Sequence, residues 1–403
     1  MPFGENENGL NKQKHIFGQL GFVLFFVGVF VSWKIQSLGI LPKFFDVGVI
    51  LILSLMLIFF SYQRKIMMNI FKNPSLSVLG LSVIISYGLI ASLYIGDSKN
   101  TIWCLFGLTT IFIYSSLDYK KIIFDQWSVL FCIIFCLLFL FEATGRGSFL
   151  LNALVRQSIN ENNHAYGLAA YTAIGALLFS ISSINRKMTW FNLLVVSFLF
   201  LIAVLIVFIS AVRSPLFGVG VALLIFIFKM NKYTTKQQKI VILLSLVVIL
   251  FGNIFAVLES VSVRVESLFN SLLNALDTLF NGSVYYADAA ALGRVFQRND
   301  AIDLFLDNFF FGVGFKHYWV DFPLLQSFSD SGVIFGFLYF SIYFLYPFYH
   351  STKGYLNGIE QNSFFSLLFI CNCPRLFLHG QPLDWQHMVY VVPVVCYFAF
   401  KDK

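Results

Sequence analysis

Charge is scarce in this chain. Only 12% of its 403 residues are Asp, Glu, Lys or Arg, while 58% are hydrophobic. A soluble fold could not hide that much apolar surface, so lipid must be its main solvent. Nucleotide chemistry leaves no trace: there is no Gly-rich phosphate loop, no His-Glu-x-x-His pair and no nucleotide-binding signature. The chain therefore shows no sign of using ATP or a nucleotide sugar. No acidic cluster suggests a metal, and no cofactor is implied. The six cysteines all fall in apolar stretches. Cys371-x-Cys373 has neither the spacing nor the partners of a zinc site, so all six read as small core-filling residues. No internal repeat is visible, which leaves the inverted-repeat plan of many transporters unsupported. The N-terminus is polar, with Lys12 and Lys14, and the first apolar run looks too long for a signal-peptide core. The net charge of +7 sits at the ends of apolar runs, not in a patch suited to nucleic acid.

What remains is a succession of apolar segments. They fall at roughly 16–33, 44–60, 76–96, 101–117, 123–141, 164–184, 190–210, 213–228, 240–258, 324–347, 363–379 and 387–400. The connections sort by charge. One side holds Lys12 and Lys14, Arg64, Lys65 and Lys72, Lys120 and Lys121, Arg186 and Lys187. It also holds Lys229 to Lys239, Lys353, Lys401 and Lys403. The other side has only Lys34, Lys43 and Lys99 in its short loops. This alternation predicts an all-α polytopic protein of about 12 transmembrane helices with both termini in the cytoplasm. The expected organisation is transmembrane helices over 1–258, one large outer loop over 259–322, and three further helices over 323–403.

The outer loops carry the polar residues. One runs from about Glu142 to Asn163; the other is the Glu259–Phe322 stretch. Within the second, Val261 to Phe280 has apolar residues near helical spacing, as in an amphipathic helix at the membrane surface. A second helix is expected over Arg294 to Phe309, before the Gly312-x-Gly314 turn.

Arginine is the residue type that stands out. Arg213 sits in Phe208-Ile-Ser-Ala-Val-Arg-Ser-Pro215, between two apolar runs. An arginine at this depth faces a cavity or an anion, or else snorkels to the interface. Ser210 and Pro215 frame it as a helix start able to aim N–H groups at phosphate. Arg156 opens a dense polar run that includes His164. It reads either as an anion contact or as part of a solvated loop with a helix cap at Asn162 or Asn163. Arg294 and Arg298 are four apart and share a helix face. They read as a bidentate anion grip or as a basic face balanced by Asp300, Asp303 and Asp307. General-base candidates are Asp321, Asp330, Asp300, Asp303, Glu161, His164 and His317, which sequence alone does not rank. Asp321 stands at a loop–membrane junction and reads equally as a helix N-cap.

These residues resemble the O-antigen polymerase and ligase superfamily, the Wzy and WaaL membrane glycosyltransferases. Three patterns carry the resemblance, chiefly over about 140–340. The first is Arg156 with Gly167 eleven positions on. The second is the Ser-x-x-Arg entry to a span, Ser210 to Arg213. The third is the ordered run Gly293-Arg294, Ala301-Ile302 and Asp307-Asn-Phe-Phe-Phe-Gly-Val-Gly314, then Leu324-Leu-Gln326 and Asp330-Ser-Gly332. Phe310 stands where the family usually has Pro. Ligases of the superfamily carry His where Asp321 aligns, and this difference favours the polymerase branch. Phe305, eleven after Arg294, departs from the Arg-to-Gly spacing of the family and leaves the role of Arg298 open.

The resemblance implies glycosyl transfer between two undecaprenyl-pyrophosphate-linked oligosaccharides at the periplasmic face of the bacterial inner membrane. Arg213 and Arg294 would hold the donor pyrophosphate, and Asp321 would deprotonate or orient the acceptor hydroxyl. Arg156, Arg298, His164 and His317 complete the expected substrate-binding set. Membrane lipid and a separate chain-length co-polymerase are the implied partners. The alternatives are an O-antigen ligase, or, in a different class, a lipid-linked saccharide flippase. The flippase should line its bundle with charge instead of gathering arginines outside.

Overall fold

The computed structural model describes residues 13–25, 46–63, 75–144, 163–184, 189–210, 213–233, 289–318, 320, 322–356, 363–373, 375–378, 382–383 and 385–401. Within these the chain is all-α. The helices are α1 (13–25), α2 (Asp46–Tyr62), α3 (Leu76–Ile95), α4 (Ser98–Ser115), α5 (Gln126–Thr144), α6 (Asn163–Ser183) and α7 (Trp190–Ser210). They continue as α8 (Arg213–Tyr233), α9 (Ala289–Asp307), α10 (Pro323–Phe340), α11 (Tyr346–Leu356), α12 (Ser363–Asn372), α13 (Arg375–Leu378) and α14 (Trp385–Phe400). A π-turn, Ser341–Leu345, joins α10 to α11. Among the described residues the only extended pairing is one bridge, Gln63 to Leu117.

Among the described residues a helix falls in each predicted apolar region that they reach; 26–33, 240–258 and the expected Val261–Phe280 helix lie outside the described residues. Among the described residues, three helical stretches are long and apolar enough to cross a membrane: Leu76–Ile95, Trp190–Val207 and Pro323–Lys353. Their outward faces are apolar as well. Tyr94, Phe191 and Phe228 are among many large side chains left exposed, as expected where lipid is the solvent. Composition, helices and exposed apolar faces together make this an all-α membrane protein.

Packing sets the direction of the helices. At one end, His15 meets Asp125 at 3.6 Å, Lys121 pairs with Asp118 at 3.1 Å, and Lys229 Nζ donates to the Ile181 carbonyl at 2.9 Å. Lys401 lies over the Phe398 ring, and Phe398 stacks on His350. The same end holds an aromatic cluster in which Phe124, Phe179 and Phe364 pack within 5.0 Å of one another, centroid to centroid. Such offset and edge contacts add to their area burial. Of the basic residues that the charge rule put on one side, the described Lys121, Lys229 and Lys401 gather at one end.

The lysine bond between α8 and the last turn of α6 makes these two helices parallel. Both start at the opposite end, and so does α10. Arg213 opens α8 there, as the Ser-x-x-Arg pattern predicts. The six cysteines are free; five are buried and Cys373 is half-buried, in keeping with a packing role.

Candidate functional site

The site lies where α9 hands over to α10. The expected second loop helix exists as Ala289–Asp307. It starts five residues before Arg294, because Ala289-Ala290-Ala291 are strong helix formers. It stops two residues before Phe309, where the Asn308 amide turns back to bond the Leu304 carbonyl at 3.2 Å.

Beyond it, α10 is broken. Gly332 adopts φ 69°, ψ −173° inside the helix. In a straight helix the Ser329 carbonyl would accept the Val333 N–H. Here Val333 N–H goes to the Phe309 carbonyl at 2.8 Å, and the Ser329 carbonyl accepts from Val313 at 2.9 Å. Gly314 N–H bonds the Asp330 carbonyl at 2.9 Å. The Phe309–Gly314 segment is thus laced into the break, and the backbone groups freed by the kink find partners in it. Two glycines make this possible. A Cβ at Gly332 would strike the Phe310 carbonyl, and one at Gly312 (φ 69°) would strike the Asp330 backbone. The Gly-x-Gly and Asp-x-Gly patterns are therefore two halves of one junction.

A polar clamp sits on top of it. Asp330 is 2% exposed. Its Oδ2 accepts from the Lys316 backbone at 3.1 Å and from Gln326 Nε2 at 3.3 Å. Gln326, wholly buried, also donates to the Tyr318 carbonyl at 3.1 Å and accepts from Val320 N–H at 3.4 Å. These two side chains, one helical turn apart, fix the path of 316–320 into α10. Lys316 is held in the left-handed region at φ 54°. Its ammonium pairs with Asp97 at 3.0 Å. Asp97 also caps α4 by accepting from Asn100 N–H at 3.0 Å. The α3–α4 turn is thereby tied to the loop segment. Tyr318 donates to Asp300 on α9 at 2.7 Å. That bond to a carboxylate, ahead of a little burial, raises its phenol above the usual value.

Two of the buried polar atoms that lack a hydrogen-bond partner among the described residues are Asp330 Oδ1 in the junction and Arg298 Nε on α9. A buried polar atom is normally hydrogen-bonded, because leaving it bare is costly. Asp300, one of the three carboxylates that could balance the arginine face, accepts from Tyr318 through Oδ2. Arg298 is half-buried on α9, one turn after Arg294. The side chains of Arg213, Arg294 and His164 lie outside what is described, although their backbones are placed. His164 stands in the first turn of α6, at the same end as Arg213. His317 is exposed in the 314–318 turn, its N–H on the Gly314 carbonyl at 3.3 Å. Arg156 and Asp321 lie outside the described residues. The residue capping α10 is Phe322, with no side-chain cap bond, so the N-cap role suggested for Asp321 falls one position later. Sequence reasoning named Asp330 only as one carboxylate among many. It missed Lys316 and Asp97, which meet across 219 positions of chain, and quoted Gln326 only as a letter of a motif.

These features have a counterpart among known proteins. Residues 198–346 match the family model described as O-antigen ligase (Wzy_C). The matched stretch runs from α7 through Arg213, α9 and the glycine junction to the end of the π-turn. It agrees with the O-antigen polymerase and ligase superfamily to which the motif order pointed. The members of this superfamily are membrane glycosyltransferase-like enzymes. No curated protein sequence matches the chain.

Proposed function

We propose that this protein is a surface-polysaccharide polymerase that joins lipid-pyrophosphate-linked repeat units at the outer face of the bacterial inner membrane. In the reaction, a hydroxyl of the acceptor saccharide attacks the anomeric carbon of the donor. The bond from that carbon to the pyrophosphate breaks, and undecaprenyl pyrophosphate leaves with the electron pair. The acceptor proton passes to a carboxylate and then to water. Charge develops on the leaving pyrophosphate, and fixed guanidinium groups in a partly dry site stabilise it best. Arg213 and Arg294 take that role. Arg298 and Arg156 hold the remaining phosphate, His164 and His317 line the saccharide path, and Asp321 orients the acceptor hydroxyl. Both termini lie in the cytoplasm, and a separate co-polymerase sets chain length.

The observation that carries this reading is the content of the matched stretch. It includes Arg213 at a helix start, Arg294 and Arg298 on one helix, and the junction that supports that helix. Arg298 Nε, buried and without a partner among the described residues, leaves one N–H on α9 available to an anion. The ligase reading draws on the match to the O-antigen ligase family, while Asp321 in place of His favours the polymerase.

The test is reconstitution of the purified chain in lipid with the lipid-linked repeat unit. Polymerisation releases undecaprenyl pyrophosphate in step with longer saccharides. Arg213→Ala should lower that rate by about 10²–10³, the usual cost of losing one transition-state charge contact. Release without elongation, or transfer only to a lipid A-core acceptor, would contradict the proposal.

A further inference from the structure

The turn between α9 and the glycine junction holds three consecutive phenylalanines; Phe309 leans on Phe305 at 5.2 Å, while Phe310 and Phe311 turn outward. Phe309, Phe310 and Phe311 are 42%, 63% and 84% exposed. Fully burying such a side chain is worth about 1.5–3 kcal/mol, so three in water form an unfavourable tip. Their backbone is nevertheless rigidly seated, through the Val333 to Phe309 bond and the close approach of Gly332 to Phe310.

The depth of that seat follows from α10. The apolar helical stretch Pro323–Lys353 is 31 residues long, whereas a bilayer core takes about 20. Counted back from Lys353, the core ends at about residue 333. Exposure along the helix marks the same boundary. No described side chain from Pro323 to Val333 is exposed, whereas Ile334 and Phe337 are 63% and 58% exposed. The lipid-facing surface thus begins at Ile334, one residue beyond the Val333 that holds Phe309.

We propose that Phe309–Phe310–Phe311 is a membrane-seated wedge. It occupies the headgroup–acyl boundary of the leaflet next to the α9–α10 junction and sets the height of α9 over the bilayer. The occupant of this surface is bilayer lipid. The wedge continues the lipid-facing band that starts at Ile334, and its irregular backbone is satisfied by the junction, the condition for non-helical chain at membrane depth. Exposed Asp303 and Asp307 on α9 mark where water begins, so the wedge is shallow. This inference concerns the membrane contact alone and stands whether or not the polymerase reading does.

Spin labels placed at Phe310→Cys, Phe311→Cys and Asp303→Cys test it. The full chain would be used in phosphatidylethanolamine–phosphatidylglycerol bilayers, with Cys373→Ser to silence the one cysteine that is not buried. The labelled side chains are exposed, so labelling leaves packing intact. Collision with oxygen relative to a water-soluble nickel chelate should be severalfold higher at 310 and 311 than at 303. A nickel-dominated signal at 311 would show the tip in water and overturn the wedge. A label at 311 reached by neither reagent would mean that protein, a second copy or the chain's own loop, covers it, and would overturn it as well.

Discussion

At Gly332 a single methyl group would decide whether the α9–α10 junction forms. The residue has a positive φ, and a Cβ there would overlap the Phe310 carbonyl. Gly332→Ala therefore meets both backbone strain and overlap, and should destabilise the protein by about 2–4 kcal/mol. Ser331→Ala next door loses only a bond to the Ser327 carbonyl and should cost about 1 kcal/mol. Thermal unfolding of the two purified variants in detergent compares them; equal midpoints would contradict the junction. Asp330 offers a second residue-scale test. Asp330→Ala frees the Lys316 N–H and the Gln326 amide and should cost about 1.5–3 kcal/mol, whereas Asp330→Asn keeps an acceptor and costs less. Faster protease cleavage between 309 and 320 in the Ala variant alone would register the loosened segment.

Between elements, the tie from Lys316 to Asp97 is the contact that joins the loop segment to the α3–α4 turn. Its groups are mostly shielded, with 22% and 26% of the side chains exposed. A double-mutant cycle of Lys316→Ala and Asp97→Ala should give a coupling of about 1 kcal/mol, shrinking as salt rises. Zero coupling at low salt would show that the pair does not hold the segment. Element positions were legible in the sequence because apolar runs between charged ends need no long-range information. The start of α9 was not, since three alanines carry helix propensity but no capping signal. The glycine junction was legible only as spaced letters. Its meaning, one broken helix laced by another segment, arises from contacts that spacing along the chain does not encode. The same holds for Gln326 and Asp97, which look like ordinary polar residues until the fold brings Lys316 and Tyr318 to them.

At the scale of the whole molecule, the basic ends of the described helices gather on one side and the α9–α10 junction lies on the other. Arg213 opens α8 on the junction side. This polarity is what a reaction confined to one face of a membrane requires, and it is the arrangement that the charge rule predicts. The family match, residues 198–346, includes both Arg213 and the α9–α10 junction. The most direct measurement is the polysaccharide gel profile of a host deleted for this gene and complemented with wild type or with Arg213→Ala at equal membrane abundance. The polymerase account predicts a ladder that collapses to core plus one repeat unit on deletion, returns with wild type and stays collapsed with Arg213→Ala. A full ladder with the variant, or loss of even the single capped unit on deletion, would contradict it.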